Sequence, residues 1–264
     1  KLLFSFSVWS DRYISLFNDV CLASLLAPQN IPYISQIRDI HFEIFAHENE
    51  ISKIEGLRNI SALKKFCNVT FIPFPEKLVS CKTYFNEHGL LRYYIYGGFH
   101  HLSIEHAKIL DADVICLGPD NLYSNNTFKN LVNYIDEGYN AVLFTATRSQ
   151  AEFVLDILKK ETNKTSGVLD ISAKRIAHLS TQFIHHDFMQ YVVTSEQMPP
   201  WRSAFFIPCK TGLNIRCYHY HPAIISSKLL EKTDGVEWNY STLDSNTMEV
   251  LCPDESEWEK LKVI

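Results

Sequence analysis

The first 148 residues alternate between two hydrophobic periods, and this limits the folds open to the chain more than any other feature. Leu2 to Val8 is an apolar-rich run that predicts a strand, and Tyr13 to Leu26 then places apolar residues at 13, 16, 17, 20, 21 and 25, the spacing of one helix face. Pro28 and Pro32 end that helix. His41 to Ala46 predicts a second strand, Ile51, Ile54, Leu57, Ala62, Leu63 and Phe66 a helical segment, and Val69 to Phe74 a third strand, stopped by Pro73 and Pro75. Leu90 to Leu110 can place Tyr93, Tyr96, Ala107 and Leu110 on helical faces around an expected break at Gly97-Gly98. A fourth strand is expected over Val114 to Leu117, ending at Gly118-Pro119-Asp120. Thr127 to Tyr139 follows as a helix with Phe128, Leu131, Val132 and Ile135 on one face, and Ala141 to Thr145 is a fifth strand.

Strands that alternate with helices at this spacing are joined by crossovers, and crossovers give a largely parallel sheet. After residue 148 the texture changes. Gln150 to Glu161 and Ser172 to Tyr191 look helical, and Ala204 to Ile207 and Asn214 to Tyr220 look like late strands. The expected class is therefore α/β: a Rossmann-like, mostly parallel sheet flanked by helices, with a helical insertion and late strands completing the sheet or the floor of a cleft. One continuous domain over residues 1–264 fits this better than two independent ones.

Composition narrows the function. A chain of 264 residues, 46% hydrophobic and 21% charged, can build a large core, and a net charge of −5 argues against a broad basic face for nucleic acid. Seven cysteines, odd in number and never spaced Cys-x-x-Cys, read as reduced core thiols and point to the cytoplasm. Five Asn-x-Ser/Thr sequons, at Asn59, Asn68, Asn125, Asn163 and Asn239, would suit a secreted protein, but a chain rich in Asn, Ser and Thr produces them by composition. No apolar run reaches the roughly 18 residues of a membrane helix. The chain opens at Lys1 inside an apparent strand, so a longer natural polypeptide is expected. Gly-x-Gly-x-x-Gly after the first strand, a Walker Gly-Lys-Ser/Thr, a Gly-x-Ser-x-Gly elbow and His-Glu-x-x-His are all missing from the sequence.

The stretch Ala107 to Asp120 carries three acids in an apolar run, and acids at the tip of a buried strand are costly unless a cation meets them. Asp111-Ala112-Asp113 has the Asp-x-Asp spacing of a divalent-metal site, whereas Asp120 with Asn121 and Ser124 sits where the strand exits. Ligands of open α/β sheets gather at carboxyl ends, which favours Asp120; a strand starting at Lys108 would favour the pair instead. Turn or cap carboxylates are the plain alternative for all three.

His219-Tyr220-His221-Pro222 follows a late strand, and His221 could complete a carboxylate and imidazole shell around Mn²⁺ or Mg²⁺. His100-His101 and His185-His186 are alternatives, against the ordinary reading of hydrogen-bonded surface histidines. Asp234 before Gly235 could serve as general base or as a turn residue. Arg148 and Arg202 could grip a phosphate or simply be solvated.

Phe4-Ser-Phe-Ser-Val-Trp-Ser-Asp-Arg-Tyr13, Ser24-Leu-Leu-Ala-Pro-Gln-Asn-Ile-Pro32, Ile115-Cys-Leu-Gly-Pro-Asp120, His219-Tyr-His-Pro-Ala223 and Thr233-Asp-Gly235 together resemble a group of bacterial GT-A-type glycosyltransferases. The resemblance implies a nucleotide-binding half over 1–148 and an acceptor-side half over 149–264. It implies Trp9 and Tyr13 in the donor nucleotide pocket, Asp120 at the diphosphate or metal, and His221 in the late part of the cleft; Arg148, from its place after the fifth strand, joins the cofactor-binding candidates. Asp111, Asp113 and His221 are further metal candidates, and Asp234 and His221 the catalytic ones. The chain departs from the usual pair of acids at the strand exit, because Gly118 stands two before Asp120.

The implied activity is transfer of a sugar from a nucleotide-sugar donor to a carbohydrate or glycolipid acceptor in bacterial polysaccharide or glycoconjugate synthesis. It carries a divalent metal, a cytoplasmic location and peripheral association with the inner face of the membrane, and no nucleic-acid partner. A non-catalytic carbohydrate- or nucleotide-binding module on the same fold and an unrelated α/β transferase, such as a methyltransferase, remain open.

Overall fold

The computed structural model describes residues 1–80, 91–144, 147–194, 204–210, 212–217, 221–233 and 259–264. Its centre is a seven-stranded sheet in the order β3-β2-β1-β4-β8-β5-β9. These strands are β1 (Leu2–Val8), β2 (Ile40–His47), β3 (Asn68–Phe74), β4 (Asp113–Leu117), β5 (Ala141–Phe144), β8 (His221–Ile225) and β9 (Leu261–Val263). β1 pairs in parallel with β2 and β4, β2 with β3, and β5 with β9, while β8 runs antiparallel between β4 and β5. The mostly parallel α/β sheet expected from the alternation is therefore what the chain forms.

Every residue of β1 is buried, as a central strand covered on both faces requires. Its period of two sorts the faces. Leu2, Phe4, Phe6 and Val8 join Phe42, Ile44, Ile115 and Phe128 in the main core, where the Phe4 and Phe42 rings stack at 4.7 Å and those of Phe6 and Phe42 at 5.6 Å. Leu3, Ser5 and Ser7 face the other way. There Leu3, with Val114, packs against Ile104 and Ala107 of the long helix Leu91–Leu110, and the Ser103 hydroxyl lies 2.7 Å from that of Ser5.

That helix passes through Gly97-Gly98 without the expected break. Each glycine costs about 1 kcal/mol of helix propensity, which the burial of Ile95, Phe99, Ile104 and Ala107 against the sheet outweighs. Glu43 of β2 is also buried on this face, and its Oε1 meets Nδ1 of His106 from the same helix.

Three other expectations shift. The helix over 13–26 is interrupted by a π-helical turn, Phe17–Leu22. The segment 172–191 divides into Ala173–Gln182 and His186–Met189, with Ser149 and Ile184 bridging between them. Of the late strands, β6 (Ala204–Cys209) and β7 (Gly212–Cys217) form a hairpin outside the main sheet, with Phe206 of β6 also bridging Val192, and the main sheet is completed by β8 and β9. Among the described residues no helix is long and apolar enough to cross a membrane.

Candidate functional site at the carboxyl edge of the sheet

β1 is flanked by β2 on one side and β4 on the other, so the crevice beyond the carboxyl ends of β1 and β4 is where an open sheet of this kind admits a ligand. Four sequence-singled positions reach this edge along the chain: Trp9 after β1, Asp120 after β4, Arg148 after β5 and His221 at the start of β8. The last arrives because β8 is antiparallel: Ile225 pairs with Val114 near the start of β4, and His221 pairs with Phe144, the last residue of β5.

The Trp9 ring lies 4.9 Å from Tyr96 and meets Phe74 edge-on at 5.7 Å, beside His47, whose ring is 4.9 Å from Phe74. The long helix, Leu91–Leu110, thus supplies one wall of the edge and the end of β3 another. Ser10 follows with φ 68 and ψ 148, a region costing a non-glycine residue about 1–3 kcal/mol unless its surroundings hold it there. Its N–H donates to both carboxylate oxygens of Glu50, each at 3.2 Å, and its carbonyl accepts from Ile14 N–H at 2.9 Å. Tyr13 is carried, half-buried, on the helix that starts there.

The loop after β4 is built around Gly118. A Cβ on Gly118 would meet Asp120 Oδ1 at 3.1 Å and Asn121 Oδ1 at 3.2 Å, so two hard oxygen donors converge over this α-carbon. Asp120 is exposed, and among the described residues no hydrogen bond or ion pair engages its carboxylate. Beneath it the Cys21 thiol lies 3.8 Å from Gly118 O. Burial, and then the Asp120 charge, push that thiol well above its ordinary range. The Tyr123 phenol is likewise pushed up, first by burial and then by the Cys21 and Asp120 charges, with the Asn121 side chain working against them.

Buried Asn30 fixes the loop: its Nδ2 donates to Ser24 O at 2.9 Å and Ser124 O at 3.0 Å, and its Oδ1 accepts from Phe128 N–H at 3.1 Å. Ser24 Oγ accepts from Tyr123 N–H at 3.2 Å and donates to Cys21 O at 2.9 Å. Asn30, Ser24 and Glu50 were not singled out from the sequence as site residues. The one signal available was Asn30 between Pro28 and Pro32, a polar residue where the chain closes the helix.

Asp111 and Asp113 belong to the opposite edge. The rise of the five-residue strand β4 alone separates Asp113 from Leu117 by about 13 Å, and Asp120 lies beyond that. Asp111 is an exposed turn residue with φ 49, while Asp113 Oδ1 accepts from Ser227 N–H at 2.9 Å at the start of the helix Ser227–Leu230. The pair is not brought together with Asp120. Arg148 is exposed, with its guanidinium 6.0 Å from the Phe188 ring centre. Asp234, His219 and Arg202 lie outside the described residues, as does the sequon asparagine Asn239. Asn59 is buried and donates from Nδ2 to Asn18 O at 2.7 Å, so that sequon presents no free amide.

No protein-family profile and no curated protein matches the chain. Among solved structures it is similar over its whole length to a 4-diphosphocytidyl-2C-methyl-D-erythritol synthase from Anaerococcus prevotii, with 12% identity, a TM-score of 0.42 and 87% of that chain covered. A structure from Bacillus anthracis described as a glucose-1-phosphate thymidylyltransferase overlaps all of this chain and 86% of its own, with 8% identity and a TM-score of 0.39. Mouse xyloside xylosyltransferase 1 overlaps 63% of this chain and 59% of its own, with 15% identity and a TM-score of 0.33.

Chemically, the edge offers an aromatic wall and, across the two central strands, a pair of hard oxygens over a glycine. Carboxylate and amide oxygens suit Mg²⁺ or Mn²⁺ rather than a soft ion. A single carboxylate fits the way Mg²⁺ is commonly held, through one or two acids together with substrate phosphates and water. The residues at Gly118 therefore fit such an ion.

Proposed function

We propose that the chain is a sugar-nucleotide-dependent glycosyltransferase that moves a sugar from a nucleotide donor to a carbohydrate or glycolipid acceptor. The observation that carries the reading is the convergence of Asp120 Oδ1 and Asn121 Oδ1 over Gly118, on a carboxylate engaged by no described partner. A nucleotide diphosphate bound without a glycine-rich amide loop needs its charge met by other means, and an oxygen cradle for a divalent ion supplies them. Asp120 and Asn121 would hold Mg²⁺ or Mn²⁺, which when bound neutralises the departing diphosphate.

The rest falls to side chains. Trp9 and Tyr13 give the donor base an apolar surface, held by the Ser10–Glu50 clamp. Arg148 is available for a phosphate oxygen. In the transfer the bond from the sugar's anomeric carbon to the diphosphate oxygen breaks, a bond to the acceptor oxygen forms, and the acceptor's proton passes to a base. Asp234 and His221 are the residues proposed for that proton and for the late side of the cleft. The setting proposed is bacterial polysaccharide or glycoconjugate assembly, on the cytoplasmic side of the membrane.

Titration calorimetry with UDP, GDP and CMP, each with and without Mn²⁺, and with S-adenosylmethionine as a control, tests this. The expected result is metal-dependent binding of one nucleotide that Asp120→Asn weakens at least tenfold, together with donor turnover. Binding without turnover would assign a non-catalytic module, and S-adenosylmethionine binding alone would assign a methyltransferase.

A further inference from the structure

We propose that His185, His186 and Asp187 form a second, surface metal site for a divalent transition ion of the zinc class, built from side chains that the Asp120 cradle does not use. Each of the three offers one ligand atom, and these atoms lie within 4.8 Å of one another. Two ligands at about 2.1 Å from one tetrahedral ion are about 3.4 Å apart. The Asp187 carboxylate approaches both rings at about that spacing, each with its own oxygen: Oδ1 is 3.0 Å from His186 Nε2, and Oδ2 is 3.4 Å from His185 Nδ1. The two imidazole rings are tilted by 33° with centres 4.1 Å apart, so closing on an ion means turning the side chains until both ring planes meet at it, without moving the backbone that carries them.

The local hydrogen bonds select the proton state that a metal requires. Asp187 N–H donates to His185 Nδ1 at 3.2 Å, which leaves that nitrogen with its lone pair and puts the ring proton on Nε2. A bound ion would take that lone pair in place of a hydrogen bond worth about 1 kcal/mol. The segment is also held in place before any ion arrives. His185 N–H donates to Arg148 O at 2.9 Å, Gln150 Nε2 donates to Ile184 O at 2.7 Å, and Phe188, the next residue, packs edge-on against Phe206 at 5.4 Å.

Two imidazoles and one carboxylate form the ligand set of borderline ions such as Zn²⁺, Co²⁺ and Fe²⁺, whereas Ca²⁺ and Mg²⁺ take oxygens. His186 and Asp187 are mostly exposed, at 78% and 51%, which leaves further coordination positions to water or to a ligand from solution. The Arg148 guanidinium, 6.0 Å from the ring centre of the neighbouring Phe188, adds a positive charge to this segment that works against a bound cation.

The test uses the whole chain, treated with chelator and free of nucleotide, titrated with Co²⁺ followed by visible absorption and with Zn²⁺ in competition against a chromophoric indicator. One equivalent of Co²⁺ is expected, with ligand-field bands and no thiolate charge-transfer band, and Zn²⁺ displaces it. His186→Ala and Asp187→Asn each weaken binding at least tenfold, with circular dichroism unchanged, whereas Asp120→Asn retains it. The proposal is overturned if the wild-type chain takes up no ion, if both ligand variants bind as tightly as wild type, if a thiolate band accompanies uptake, or if Asp120→Asn abolishes it.

Discussion

Replacing Gly118 with alanine separates the site from the fold more cleanly than removing a charge. The added methyl would meet Asp120 Oδ1 at 3.1 Å and Asn121 Oδ1 at 3.2 Å, closer than ordinary carbon–oxygen contact, so each oxygen must retreat by a few tenths of an ångström. Metal–oxygen bonds are held to within roughly 0.2 Å, and a retreat of that size weakens or removes one of the two protein ligands. A loss of about 1–2 kcal/mol follows, which is about 5- to 30-fold weaker metal-dependent nucleotide binding.

The fold should barely register the change. Gly118 is outside the left-handed region, so alanine is unstrained there, and its lower unfolded-state entropy contributes about 0.4–1 kcal/mol that offsets the contact. A melting temperature within about 4 °C of wild type is expected. Calorimetry with UDP and Mn²⁺ alongside a thermal melt decides the matter. Unchanged nucleotide affinity in a folded Gly118→Ala protein would refute the cradle, and a collapse of stability would refute the account of the loop.

Asp113 is pushed above its ordinary value of 3.8 first by desolvation, with the Ser227 N–H working against that shift. Ionising it therefore costs stability, which is fully present below the ordinary carboxylate range and falls as pH rises through it, so Asp113→Asn should be more stable than wild type at pH 7. That gain should vanish in urea melts run below pH 3.8, and a gain that persists there would contradict the assignment. His106→Ala strands the buried Glu43 carboxylate and should cost about 2–3 kcal/mol by urea denaturation, while adding Glu43→Met to it should recover much of the loss. Phe42→Ala, opening a cavity between two stacked rings, should cost about 3–5 kcal/mol. Cys21 is buried and its thiol is pushed up, so peptide mapping after alkylation of the native chain at pH 8 should find exposed Cys209 labelled and Cys21 protected.

The sequence carried the first five strands almost residue for residue, because burial on both faces writes a strand such as Leu2–Val8 as a run of apolar residues bounded by turn signals. It carried less of the helices. Gly97-Gly98 reads as a break from propensity alone, and only the sheet beneath Ile95 and Phe99 explains why the helix continues. The partner of a late strand cannot be read from its own residues either: Ala204–Cys209 and His221–Ile225 look alike in sequence, yet one forms a separate hairpin and the other enters the main sheet in reverse. Trp9 and Asp120 could be chosen as candidates from sequence because each stands within three residues of a strand end. Asn30 and Glu50 act through long-range hydrogen bonds, which leave no periodic trace.

Asp113 and Asp120, at the two ends of one strand, show that spacing alone does not choose between the two candidate metal positions. Asp-x-Asp is a pattern of intervals, and intervals do not say which end of the sheet they occupy. At the start of β4 the acid meets a helix that must find a partner for its first N–H, and Asp113 is consumed by Ser227, half-buried and at a cost in desolvation. At the far end no helix among the described residues donates a hydrogen bond to the Asp120 carboxylate. The chain places glycine where a side chain would crowd the oxygens, proline beneath, and a carboxylate in solvent that no described group engages. A carboxylate kept exposed and unpartnered over a glycine contributes little to stability by any route available to it. Asp120, and not the pair that matches the familiar spacing, is therefore the residue on which the proposed donor site rests.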